Sequence, residues 1–328
     1  MDRLTFFKYS VAAGSGHVLA PLFGTKKLEN RETVDGNIIA LQIGDLETYI
    51  LSDGEVIVDQ FQPIFAPEIT PDLVQQELEK LHLPLDKIRG AINVMLIKKE
   101  GRLILLDSGA GYHFGQNAGK LVGELSNMGI ERQDITDIVI THAHIDHIGG
   151  IINSEGGFVY PNATYHIAEK ELNFWLAEDP DFSKSKGKEG SESSILFART
   201  VLKKMLSKLV TFQYGEVLFS CMYAELAAGH TPGHTIFKIF SGAHHLKHVV
   251  DSFHTALLVS HPEWGTQWDI DFELGIKTRK RLIEEGSRDR TVFMCCHMPW
   301  PGLGYIDKIA SNYFWSIYPY YNPGRIIL

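Results

Sequence analysis

From about Gly36 onward the chain sets short apolar runs, rich in β-branched residues, against polar turns. Asn37 to Ile43 and Leu46 to Leu51, closed by Ser52-Asp53-Gly54, predict a hairpin. Ala91 to Ile97 and Arg102 to Asp107, joined by Lys98-Lys99-Glu100-Gly101, predict another. Asp137 to Thr141 is a continuous apolar run and reads as a buried strand, as do Val249-Val250-Asp251 and Val292 to His297. Between these lie helical periods. Val74, Leu78 and Leu81 recur at i, i+4, i+7 after Thr70 as N-cap and Pro71 at the first helical position. Leu121, Leu125 and Met128 mark a helix that Gly129 stops, and helical patterns surround Leu172–Leu176 and Ile195–Leu209. Strands alternating with helices place the chain in the α/β class. Phe61 to Pro67 is too proline-rich for a central strand and too apolar for a solvent loop, so it is expected to line a pocket.

Composition narrows the picture. The chain has 328 residues, 44% apolar and 22% charged, the balance of an enzyme-sized globular protein. Its 31 basic and 40 acidic side chains give a net charge of −9, which disfavours a nucleic-acid partner. No apolar run approaches the ~20 residues that span a bilayer. Cys221, Cys295 and Cys296 are too few for a disulfide framework and read as buried thiols. Residues 1–35 read as an N-terminal arm packed on the domain or on a second subunit, so a homodimer is one expectation. The other reading of this segment is a degenerate export signal, but His17 interrupts its apolar part and no clear A-x-A site follows. A cytoplasmic location is the expectation. Residues 36–328 read as one domain, with a flexible excursion near 178–194 where Ser, Lys, Gly and acidic residues crowd together.

The chemistry concentrates where strands end. His142-Ala143-His144-Ile145-Asp146-His147 packs three imidazoles and a carboxylate into six residues directly after a strand. His142 and His144, two apart, point the same way, and the following turn brings Asp146 and His147 to an adjacent position. Imidazole nitrogen and carboxylate oxygen suit zinc and neighbouring divalent metals. Further on, Gly229-His230-Thr231-Pro232-Gly233-His234 holds two histidines on a tight loop, and Asp251 and His297 each close an apolar strand. Strand-to-loop junctions are where α/β proteins place their sites. His244, His245 and His248 are explained by a solvated hairpin turn, and His17, His82, His113, His166 and His261 by structural or surface roles.

In their order along the chain, with Asp107 after its strand, these pieces resemble a metallo-β-lactamase superfamily hydrolase over roughly residues 36–310. The resemblance implies an αββα sandwich, two mixed sheets flanked by helices, with a dinuclear metal centre along one edge. It assigns His142, His144 and His230 to one metal, Asp146, His147 and His297 to the other, and Asp251 to the bridge between them. Two divalent ions, zinc foremost, would share a hydroxide that attacks the substrate, since coordination lowers the pKa of water to roughly 7. Asp146 and Asp251 are the expected catalytic carboxylates. Asp107 would orient a ligand histidine, its plainer role being that of a turn-former. His234 would stabilise its loop rather than bind metal.

Within the superfamily, His261-Pro262-Glu263-Trp264 and His297 to Gly304 resemble the branch of N-acyl homoserine lactone lactonases and methyl parathion hydrolase. Two positions depart from it: Val250 stands where many relatives carry glycine, and Met298 where an aromatic or aliphatic residue is commoner. Asp251, where the thiolate-using zinc β-lactamases carry cysteine, argues against that activity. The expected substrate is an acyl lactone or related ester with an apolar tail, opened by a quorum-quenching lactonase, with phosphotriester hydrolysis as the alternative. A non-enzymatic metal-binding module is disfavoured. Phe65, Trp175, His254, Trp264 and Trp300 are the candidate substrate-facing residues.

Overall fold

The computed structural model describes residues 36–187, 191–320 and 325–328. The expected arm at 1–35 and residues 188–190 of the excursion lie outside them. Val34–Leu328 form one compact unit. Its first sheet takes β1 (Ile38–Ile43), β2 (Leu46–Val58), β3 (Ile88–Lys99), β4 (Arg102–Leu106), β5 (Asp137–Ile140), β6 (Thr164–Ala168) and β7 (Leu209–Phe212) in that order. The second takes β8 (Val217–Leu218), β9 (Met222–Leu226), β10 (Thr235–Ser241), β11 (His244–Val250), β12 (Phe293–Cys295), β13 (Leu303–Ile309) and β14 (Asn312–Ile317). The last strand, β15 (Arg325–Ile327), returns to the first sheet and pairs parallel with β1. Both sheets are mixed: β4, β5, β6 and β7 run parallel, and β11 and β12 form the parallel pair of the second sheet.

Residue alternation makes the layers. In β4 and β5, Ile104, Leu106 and Val139 meet Phe237, Ile239, Leu246 and Met294 of the other sheet in a shared central core. Leu105, Ile138 and Ile140 point the opposite way, against Leu121 and Leu125 of α2 (Leu121–Asn127) and Leu202 and Met205 of α5 (Ser191–Met205). On the far side, Ile236, Val249 and Phe293 pack on Leu282 and Ile283 of α7 (Phe272–Asp289) and Val259 of α6 (Ala256–Ser260). The result is the expected αββα sandwich. The remaining helices are α1 (Pro71–Lys80), α3 (Ile145–Ile148) and α4 (Glu169–Leu176).

Three local expectations change. The turn expected at 52–54 is a bulge inside one long strand, with the β2–β3 register shifting between Ser52 and Gly54. The buried Asp53 carboxylate turns inward there and accepts from the N–H groups of Ala110 (2.8 Å), Gly119 (3.2 Å) and Leu121 (2.8 Å). Gly54 has φ +113°, and a Cβ on it would meet Asn117 O at 2.1 Å, so the bulge needs glycine. Second, the helix expected over Ile195–Leu209 runs from Ser191 to Met205, a 3-10 turn follows, and Leu209 starts β7. Third, His248 is not in a solvated turn. It is buried in β11, where burial lowers its pKa to about 3, whereas His244 and His245 are exposed at the start of that strand.

Candidate metal centre

The loops that leave β5, β9, β11 and β12 meet at one edge of the sandwich. β5 delivers His142 directly, and the chain then turns at His144 into the single turn of α3, which carries Asp146 and His147. The β9–β10 connection supplies His230 and His234, β11 leads into Asp251, and β12 leads to His297. Val250 turns the chain at φ +51°, an uncommon conformation for a β-branched residue, and this bend aims Asp251 inward. Asp107 takes a similar left-handed turn, at φ +66°, where β4 ends.

The side chains converge on one atom. The Nε2 atoms of His297 (3.0 Å), His147 (3.2 Å), His230 (3.3 Å), His254 (3.5 Å) and His142 (3.6 Å) all surround Asp251 Oδ2. His144 Nδ1 lies 3.1 Å from His142 Nε2, and Asp146 Oδ2 lies 3.2 Å from His297 Nε2. One carboxylate oxygen has two lone pairs and cannot serve five imidazoles. The Nε2 atoms of His147 and His230 and the Oδ1 of Asp251 are buried without a hydrogen-bond partner. Among the described residues four overlapping donor groups are compact enough to grip a cation: His142 with His144, His230 and Asp251; Asp146 with His147 and His297; Asp251 with His254 and His297; and Asp107 with His147 and Cys296. Buried nitrogen and oxygen donors left unpaired in this arrangement fit two divalent metal ions.

Outer partners fix the rings. Asp107 accepts from His147 Nδ1 at 2.8 Å while taking the N–H and hydroxyl of Thr141, both at 2.8 Å. Asp269 lies 3.3 Å from His230 Nδ1 and is itself paired with the buried Arg279 at 2.6 Å. His297 Nδ1 donates to Ala91 O at 2.8 Å, and His142 Nδ1 lies 3.1 Å from Thr141 Oγ1. His234 spends both ring nitrogens on backbone: Nδ1 donates to Ala227 O at 3.1 Å and Nε2 accepts from Asp251 N–H at 3.3 Å. Neither nitrogen of His234 is left for a metal.

The electrostatics follow from burial and crowding. Burial drives His142 and His144 well below the ordinary imidazole range, reinforced by charge on His147 and His230 respectively. Burial also opposes charge on His147 and His297, but Asp251 and Asp146 outweigh it, lifting His147 well above normal and His297 to about 10. Burial alone would raise Asp251, yet His147 and His297 hold its carboxyl far below the usual range. A cluster containing Asp107, Asp146 and Asp251 thus demands compensating positive charge at its centre.

Glu171, which its place in the sequence did not single out, clamps the two histidine loops together. Its buried carboxylate accepts from Ala143 N–H (2.9 Å) and Trp175 Nε1 (2.7 Å) on one oxygen and from Thr231 hydroxyl (2.6 Å) and Gly233 N–H (3.0 Å) on the other. A Cβ on Gly233 would sit 2.4 Å from Glu171 N, so the close approach requires glycine. Asp269 was equally illegible, because its role depends on His230, 39 residues away.

The centre opens on a cavity of about 730 Å³. Asp146, Asp251, His144, His230, His254 and His297 form its floor, and Ile57, Val58, Phe114, Phe182, Phe197 and Trp268 form much of its wall. Among the described residues lining it there is no Lys or Arg. Of the aromatic candidates, Trp175 and His254 line this cavity and three do not. Phe65 is fully buried behind the wall, 5.8 Å from the His254 ring and 5.0 Å from Trp268. Trp264 stacks on His261 at 4.1 Å in the same satellite core, and Trp300 packs against the core between the sheets. Phe65 and Trp264 are buried in their core, and Trp300 is half-buried against its own. The Phe61–Pro67 segment therefore backs the pocket rather than lining it.

A family model described as the metallo-beta-lactamase superfamily matches residues 88–297. No curated protein matches the chain. Among solved structures, AidC, described as a dizinc quorum-quenching lactonase in complex with a product N-hexanoyl-L-homoserine, is 32% identical, with a TM-score of 0.83 over 87% of this chain and 99% of that one. The hydrolase AbOPH of the beta-lactamase superfamily is 24% identical, with a TM-score of 0.78 over 87% of this chain and 99% of that one. A probable metal-dependent hydrolase from Staphylococcus aureus is 20% identical, with a TM-score of 0.68 over 86% of this chain and all of that one, and shares the fold. Its matched core, its relatives and its buried His/Asp donor set place the chain in the metallo-beta-lactamase superfamily, as a metal-dependent hydrolase.

Proposed function

We propose that this hydrolase opens the lactone ring of N-acyl homoserine lactones, using two zinc ions. The observation that carries the reading is the cavity: its wall is largely apolar, it bears no cationic side chain among its described residues, and it ends on the donor cluster. Such a site favours a neutral ester with an apolar tail over an anionic substrate. The likeness to AidC, which holds an acyl homoserine product, supports the same reading.

We assign His142, His144 and His230 to one ion, Asp146, His147 and His297 to the other, and Asp251 to both. Bound there, the ions would supply Lewis-acid polarisation of the ester carbonyl and acidify the attacking water. Asp107 and Asp269 hold the tautomers of His147 and His230, so that each ring presents Nε2 to the centre. Asp146 has a side chain 13% exposed and lines the cavity, so it is placed to take a proton and pass it to solvent. Asp251 is buried on the cavity floor, and its backbone N–H donates to the His234 ring.

The test is a substrate panel on metal-quantified protein. Short- and long-chain acyl homoserine lactones should be opened, and a paraoxon-like triester should be a poor substrate. Lactones left intact beside a cleaved triester would replace this reading with the phosphotriesterase one. Asp251→Ala should lower metal content and rate together, and unchanged activity in that variant contradicts the bridging assignment.

A further inference from the structure

The buried stripe of α7 carries Phe272, Ile276, Leu282 and Ile283 at helical spacing, with one charged residue, Arg279, in their midst. Arg279 is the first of three consecutive basic residues, and it alone turns inward: Lys280 and Arg281 are exposed, whereas Arg279 is 1% exposed. A buried guanidinium is costly unless it is paired. Among the described residues its ion-pair partner is Asp269, with Nη2 2.6 Å from Oδ2, and its Nε is buried without a partner. The helix leaves room for this pair, because a Cβ on Gly275 would meet Asp269 Oδ2 at 2.4 Å and Arg279 Nη2 at 3.3 Å.

Asp269 faces two ways. Its other oxygen, Oδ1, lies 3.3 Å from His230 Nδ1, a longer contact than the one to Arg279. The backbone of the His230 loop is docked separately: Ile270 N–H donates to His230 O (3.0 Å), Asp271 N–H to Gly229 O (2.9 Å) and the Thr278 hydroxyl to Ala228 O (2.6 Å). Arg279 therefore bears on the His230 ring, through Asp269, and not on the course of the loop. His147 is supported by a different route, since its partner Asp107 is held by the neutral N–H and hydroxyl of Thr141. The two outer carboxylates are thus anchored independently, one by a cation on α7 and the other at a strand end.

We propose that Arg279 is a positioning residue for one of the two ions: gripping Asp269 Oδ2, it keeps Oδ1 facing His230 Nδ1, and so sets the affinity of the ion that His230 holds without acting on the other. The inference rests on the assignment of His230 made above, but not on which ester is cleaved. A carboxylate behind a metal-holding imidazole fixes the orientation of the ring, and losing such a partner weakens metal binding by roughly 10–100-fold. Without Arg279, Asp269 keeps its place in the chain and loses the group that fixes its side chain.

The experiment titrates zinc into metal-stripped wild type, Arg279→Met and Arg279→Lys, in competition with a chromophoric chelator. Wild type should bind two ions. Arg279→Met should hold one ion as wild type does and the other roughly 10–100-fold more weakly, and Arg279→Lys, which returns a cation to Asp269, should recover part of that loss. The ion that remains in His230→Ala should bind equally well in His230→Ala/Arg279→Met, because Arg279 acts only through that ring; a further weakening there would overturn the proposal. Two wild-type affinities in Arg279→Met make the ion pair mere packing and also overturn it. So does an equal weakening of both ions, which marks a general loosening of the fold. Removing one member of a buried pair is destabilising, so should Arg279→Met fail to fold, Asp269→Asn/Arg279→Met leaves no charge unpaired and is read by the same outcomes. Should the wild type bind a single ion, the dinuclear reading fails, and the same comparison on that ion decides the role of Arg279 separately.

Discussion

Glu171 offers the sharpest test of how the centre is held together, because it touches none of the candidate metal-holding side chains. It accepts four hydrogen bonds from Ala143, Trp175, Thr231 and Gly233, all between 2.6 and 3.0 Å and all buried. Glu171→Ala leaves two backbone N–H groups, an indole N–H and a hydroxyl to find other partners, and removes side-chain volume from a packed site. At about 1–3 kcal/mol per unsatisfied buried donor, with water and the mobile Thr231 hydroxyl relieving part of it, the loss should be about 4 kcal/mol. Glu171→Gln keeps one acceptor oxygen. Its NH₂ group is best placed against Thr231, whose hydroxyl turns to accept, and Gly233 N–H is then left unpaired. That variant should lose about 2 kcal/mol. Urea unfolding of metal-stripped protein at pH 7 isolates this loop clamp from any contribution of bound ions. On reloaded protein, a shift of the His142–His144 loop by about 1 Å against the His230 loop should reduce kcat by about 100-fold. An Ala variant within about 0.5 kcal/mol of wild type, with full metal and rate, would refute the clamp, since that is the range of ordinary surface substitutions.

Three other outcomes are expected. Chelation should abolish activity and lower Tm by roughly 5–10 °C, the shift for ions that contributed about 3 kcal/mol to a domain of this size; an identical Tm with and without ions contradicts the dinuclear centre. At Asp137, burial pushes the carboxyl up, but Thr136, His166 and Arg102 (2.8, 2.9 and 2.8 Å) outweigh it and hold it below its ordinary 3.8. A depressed carboxylate contributes stability above its unfolded pKa and loses it as pH falls through the folded one. Asp137→Asn should therefore destabilise by about 2 kcal/mol at pH 7, with the deficit shrinking only below pH ~4; a deficit that is the same at pH 7 and pH 3 would rule this out. Phe197→Ala removes an apolar wall from the cavity. It should lower kcat/KM by about 5–10-fold for a decanoyl lactone and less for a butanoyl one, and an equal loss on both would place the acyl tail elsewhere.

The sequence determined the parts of this protein that are local. The continuous apolar run of β5 marked a strand buried on both faces, and the spacing of His142, His144, Asp146 and His147 after a strand end marked a candidate metal site. Single-strand logic failed where one strand carried an unpaired kink: Ser52-Asp53-Gly54 has turn composition, yet the N–H groups of Ala110, Gly119 and Leu121, contributed from 57 or more residues away, turn it into a bulge. The same limit hid Glu171, whose acceptors reach Gly233 62 residues on, and the choice among aromatics, where Trp268 lines the cavity and Phe65, Trp264 and Trp300 do not. A tryptophan in a loop carries no mark of which wall it will cover. That is decided when separate sheets and helices pack, because burial is not directional and rewards any core that a ring can reach. The chemistry of the donors was therefore readable one segment at a time, whereas their anchoring and the shape of the cavity exist only once Asp107 meets His147 and His297 meets Ala91, 40 and 206 residues apart.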